Sequence, residues 1–212
     1  MNESKTNYVI SFDTLVLNPK TYGKRIYTSV IEQNDRFTIA KKPLHIVTRS
    51  CKFYGGSFDN AMQSSAKLLD RRHKLPLLIA NSYGMPFIFI PTMSAKSDYN
   101  TWIAYHAIDT FLPDGLQTIV KLKNGIDIKI GVTVATMYRQ FSLARLVEIN
   151  FINKQKELNR TSNLLSSQEP EHTLTQREHV DSVVLEEHLD ELYASTKKIS
   201  DDHSSADGST PS

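Results

Sequence analysis

An α+β fold is predicted for this chain of 212 residues. The expected architecture is a mixed, mostly antiparallel sheet with a short helix in a basic segment and one long C-terminal helix of the body. A largely disordered acidic tail follows. Three observations predict this. Between Tyr8 and Ile130, short runs of β-branched and aromatic residues are cut by Asn-Pro, Tyr-Gly, Asn-Asp and Asn-Gly dipeptides. From about Val134 apolar residues recur at three- and four-residue steps. After Arg160 the chain turns polar and acidic. Residues 1–160 therefore read as one body and residues 161–212 as a linker and tail.

Tyr8 to Leu17 (YVISFDTLVL) reads as the first strand, stopped by a turn at Asn18-Pro19 because proline cannot donate to a ladder. Arg25–Glu32 and Arg36–Ala40 complete an antiparallel meander. Leu44–Tyr54 (LHIVTRSCKFY) reads as a fourth strand, its end carrying Arg49 and Lys52 out of the core before Gly55-Gly56 breaks it. Ser57 is placed to cap a helix of about Phe58 to Arg71. Pro76–Ala80 and Met85–Ile90 form a hairpin across Asn81-Ser82-Tyr83-Gly84. Thr101–Phe111 has apolar residues on both faces and reads as a buried strand. Leu116–Lys123 and Ile126–Ile130 flank Asn124-Gly125, the strongest hairpin signal in the chain. A helix from Val134 to about Leu158 packs on the sheet and can close a dimer. An amphipathic stretch at 177–199, with an acidic outer face, suggests one more helix in the tail.

The formal net charge of +2 conceals a division. Residues 1–160 hold 22 Lys and Arg against 12 Asp and Glu, whereas residues 161–212 hold 3 against 11. Within the body, residues 36–74 hold 9 basic and 2 acidic residues. This concentration fits a polyanion-binding surface, with Arg49, Lys52, Lys67, Arg71, Arg72 and Lys74 as the candidate DNA contacts. It also fits a solvated lysine-rich face, since charge governs association and not fold. The cluster Arg71–Lys74 has a further explanation in the preference of helix C-termini for cations.

Other chemistry finds little support. There is no P-loop, GxGxxG, HExxH or CxxC, so no cofactor and no metal are expected. Cys51 with His45 or His106 would be the only route to a thiol nucleophile, but no thiol-enzyme signature accompanies them, and a small buried cysteine is the plainer assignment. No enzyme is expected. One cysteine and no apolar run of membrane-spanning length suggest a reducing, cytosolic setting without membrane contact. No zinc finger, basic zipper or RNA-recognition signature occurs. Pro76 and the apolar LPLLIA, standing where a second helix would follow the first, speak against a helix-turn-helix.

The blocks KPLHIVTRSCKFYGGSF, HKLPLLIANSYGMPFIFIPTMS and WIAYHAI resemble the ComK competence transcription factors of Gram-positive bacteria. The family elements fall at Lys42–Gly55, His73–Pro76, Phe89–Thr92 and Trp102–Ile103, and the similarity covers roughly residues 8–155. The resemblance implies a DNA-binding activator of DNA-uptake genes that recognises A/T-rich boxes through the minor groove. The partners it implies are A/T-rich duplex DNA, further copies of the chain as dimer or higher oligomer, RNA polymerase, and an adaptor of a Clp protease. The segment Asp59–Arg71 departs from the family in residue detail. The family's C-terminal Phe-Met-Leu-Tyr-Pro-Lys-like stretch, associated with that adaptor, is absent and the acidic tail stands in its place. The alternative is a regulatory or protein-interaction module of the same fold that acts through its tail without binding DNA.

Overall fold

Nine strands and three α-helices make up the described part of the chain. A computed structural model describes residues 7–71 and 73–166, with side chains through Arg160. Arg72, residues 167–212 of the acidic tail and the expected 177–199 helix lie outside these residues, and residues 161–166, expected as linker, are helical. Six strands form one sheet in the order β3-β2-β1-β6-β5-β4, and three form a second, β7-β8-β9. In chain order they are β1 Thr14–Tyr22, β2 Arg25–Glu32, β3 Arg36–Ile39, β4 Leu77–Ser82, β5 Met85–Pro91, β6 Trp102–Ala104, β7 Ile108–Asp114, β8 Gln117–Leu122 and β9 Asp127–Ile130. The helices are α1 Pro43–Phe53, α2 Phe58–Leu69 and α3 Val134–Ser166. Every strand pair described is antiparallel.

The first departure from expectation is β1. Asn18-Pro19 does not end it; the strand runs to Tyr22, with Pro19 opposite Thr28, and the turn falls at Tyr22–Arg25 with Gly23 at φ 58°. Proline is tolerated because β6 pairs with β1 only at Val16 and Leu17, so no neighbour there asks Pro19 for a ladder N–H. The second is Thr101–Phe111. β6 is cut at Tyr105–Ala107 by one 3-10 turn, after which the chain enters the second sheet as β7. Alternation cannot show such a break, because the residues on either side are apolar for the sake of two different sheets.

The hairpins follow their turn residues. Tyr83 (φ 49°) and Gly84 (φ 79°) make a two-residue turn between β4 and β5, shorter than the four-residue link expected. At Asn124-Gly125, Gly125 N–H bonds Leu122 C=O at 2.9 Å, and Leu122 N–H bonds Ile126 C=O at 2.9 Å. This is a three-residue loop closed by a glycine in the left-handed region.

The core gathers where β1, β6 and β5 lie side by side. Leu17, Ile103, Trp102, Phe89 and Ile90 are buried there, with α1 and α2 packed over β1 and β4. Along α3, Phe141 meets Tyr105 and Phe111, with ring centroids 4.7 and 5.9 Å apart, and Met137 and Ala144 are buried. None of the helices described is long and apolar enough to cross a membrane. Ile103 is opposite both Val16 and Ile90. Truncating it should cost about 2–5 kcal/mol, since a cavity would open between two strands. Urea unfolding of Ile103→Ala, followed through the emission of Trp102, the sole tryptophan, checks this.

Candidate nucleic-acid interface

The segment Leu44–Tyr54, expected as a strand, is the helix α1. Its start is written in Lys42-Pro43. Proline at the first helical position already has a helical φ and needs no intrahelical N–H partner, and it holds Lys42 extended at φ −67°, ψ 149°. Its period is helical: Pro43, Ile46, Val47, Ser50 and Cys51 are the buried positions, spaced three, one, three and one apart. The β-branched content of this run suggests a strand, and tertiary burial of a helical face overrides that local preference.

The change of element regroups the side chains. As a strand, Arg49 and Lys52 would point to opposite faces. On a helix, His45, Arg49 and Lys52 stand at i, i+4 and i+7 and form one stripe opposite the buried face. All three are exposed. They line a groove of about 430 Å³ together with Lys41, over a floor that includes Tyr8, Ile39 and Ile46. Among the described residues that line it, none carries a carboxylate. Arg49 Nη1 donates to Asn7 Oδ1 at 2.8 Å, which holds the guanidinium at the rim. Lys42 faces elsewhere, paired to Asp98 at 2.5 Å. Lys41 and His45 were missing from the candidates read from sequence. The signal that would have found them is the proline-started helical period, which puts His45 in register with Arg49.

The Arg49-Ser50-Cys51 block divides three tasks among three directions. Arg49 faces the groove. Ser50 Oγ accepts the Ile10 N–H at 2.9 Å and donates to Ile46 C=O at 2.8 Å, tying the N-terminal segment to α1. Cys51 is buried in the core, and burial pushes its thiol up to about 11. A neutral buried thiol is a poor nucleophile. His106, its other proposed partner, stacks on Phe12 with centroids 4.2 Å apart, and its Nε2 lies 3.1 Å from Phe12 C=O.

α2 begins as expected, with Ser57 Oγ accepting the Asn60 N–H at 3.1 Å. It ends earlier, at Leu69, where Asp70 takes the left-handed conformation at φ 46° and Arg71 N–H bonds Ala66 C=O at 3.2 Å. Arg71 is thus exposed just beyond the helix, and Lys74 is half-buried at φ 52°. Lys67 lines a different groove, of about 570 Å³, between α2, β4 and α3, with Lys154 opposite. The structure brings Arg49 and Lys52 into one groove and puts Lys67 in another. The short Tyr54–Ser57 connection also makes α1 and α2 consecutive helices. The helix that adjoins α2 is α1, which precedes it, whereas β4 follows.

A family model described as ComK protein matches residues 5–156. A protein named competence transcription factor from Bacillus subtilis (strain 168) is 26% identical over 135 residues, which span 63% of this chain and 69% of that protein. No solved structure matches the chain.

Two outcomes are expected at this site. Native Cys51 should resist alkylation at pH 8 and react once urea unfolds the chain; full labelling of native protein would contradict its burial. Burial lowers the His106 pKa from its ordinary 6.5. A group with a depressed folded-state pKa stabilises above its unfolded value, and that contribution is lost as pH falls through the folded one. Stability should therefore decline as pH drops below 6.5, and less steeply in His106→Phe, as urea midpoints across pH would record.

Proposed function

This chain belongs to the ComK family of competence transcription factors, and we propose that it activates DNA-uptake genes by binding A/T-rich duplex DNA through the minor groove. The observation that carries this reading is the groove along α1. Lys41, His45, Arg49 and Lys52 line it with no carboxylate among the described residues, and three of the four stand on one face of one helix. Such a stripe offers several phosphates cationic contacts at once, and the release of their counterions supplies affinity that falls with salt. An A/T preference follows if an arginine of this stripe enters a narrowed minor groove, where A-tracts concentrate negative potential. Of the candidates, Arg49 and Lys52 are the principal contacts. Arg71 and Lys74 follow α2 outside this groove, and Lys67 lines a different one. Self-assembly as a dimer or higher oligomer would let paired boxes be read in helical phase.

Gel shifts on A/T-rich and G/C-rich duplexes across a salt series, with and without a minor-groove competitor, test the proposal. Lys52→Ala should weaken binding on both duplexes alike and lower the slope of log K against log salt by about one unit. Arg49→Ala should also erode the preference for A/T. Binding indifferent to both base composition and the competitor would sink the minor-groove reading.

A further inference from the structure

The cationic face of α1 ends in an aromatic residue. Phe53 is 68% exposed, and it follows Lys52 directly on the helix. A single exposed phenylalanine is ordinary, but this one is held in place. Its ring meets Tyr54 edge-on with centroids 5.0 Å apart. Tyr54 is anchored in turn by its hydroxyl on Ile10 C=O at 2.8 Å and by Phe87 at 6.0 Å. A ring so braced presents a face to solvent at little entropic cost. Beside it, Gly55 and Gly56 leave the approach clear of side chains. Gly55 needs to be glycine for its φ of 80°, but Gly56 does not: it has no positive φ, and a Cβ there would meet only Cys51 C=O at an ordinary 3.5 Å. Among the described residues nothing demands glycine at 56, and clearance toward a ligand is a use open to it.

We propose that Phe53 and the Gly55-Gly56 turn beside it form a base-stacking ledge, on which the Phe53 ring packs against a base step of the duplex whose phosphates lie along Arg49 and Lys52. The proposal rests on the DNA-binding reading above and assigns it a contact that is not electrostatic. The charge around the ring selects the occupant. A second copy of the body docked here through a two-fold axis would set His45, Arg49 and Lys52 against their own counterparts. A nucleic acid offers anionic phosphates to the cations and an aromatic face to the ring, and both grooves and stacks are entered in this way by apolar side chains.

The test uses the full chain and an A/T-rich duplex carrying 2-aminopurine in place of one adenine at the base step, whose emission rises when it is unstacked from its neighbours. Binding should raise that emission as the Phe53 ring enters the step. Phe53→Ala should lose the rise in emission and about tenfold in affinity with an unchanged salt slope, and Phe53→Trp should restore the affinity. Gly56→Ala should keep its thermal midpoint yet bind more weakly, which guards against a folding defect at 53. The same rise in emission and full affinity in Phe53→Ala overturn the ledge alone. So does a Phe53→Ala chain that loses self-association but binds DNA normally, because the ring would then be a protein contact. A wild-type chain that binds no duplex overturns the ledge together with the reading beneath it.

Discussion

The burial of one face of α1 is the constraint on which the remaining features of this molecule depend. Ile46, Val47 and Cys51 are withdrawn from water, and Ser50 is buried with both of its bonds satisfied by backbone groups. Each buried aliphatic side chain stabilises by about 1.5–3 kcal/mol relative to exposure. That preference fixes the rotation of the helix. Once those four residues face inward, His45, Arg49 and Lys52 have no choice but to face outward together. The electropositive groove is a by-product of core packing as much as of charge content.

The same packing explains why the N-terminal segment matters to the groove. Tyr8 forms part of its floor, and Ile10 is tied to α1 by Ser50 and by Tyr54. Tyr8 in turn bonds Thr14 and, at 2.7 Å, Glu32, so the floor is continuous with β1 and β2. Burial raises the phenol pKa of Tyr8, which keeps it an uncharged donor to that carboxylate. The groove is therefore walled by a helix and floored by residues that the large sheet holds. Rigid placement of this kind suits recognition of a stiff partner such as duplex DNA, because little ordering remains to be done on binding.

Much of the secondary structure was legible in the sequence because its signals are local. Ser57 caps α2, Asn124-Gly125 turns a hairpin, and the three-and-four spacing from Val134 is a helix, although one that continues to Ser166. The misassignments share a physical origin. At Pro19, at Leu44–Tyr54 and at Tyr105–Ala107, the local preference was overridden by what lay across the fold: a missing neighbour, a buried helical face and a change of sheet. The site was legible as a set of cations but not as a surface. Separating Lys67 from Arg49 requires knowing which groove each helix lines, and no spacing in the chain encodes that.

By itself the sequence determined three things: a basic body with an acidic tail, the residues that carry the family likeness, and the position of local turns such as Asn124-Gly125. Composition, motif and turn chemistry are all properties of near neighbours. Only the tertiary structure decided which basic residues share a face. A face is defined by what is buried behind it, and the residues behind α1 come from β1, β4 and the segment at Ile10.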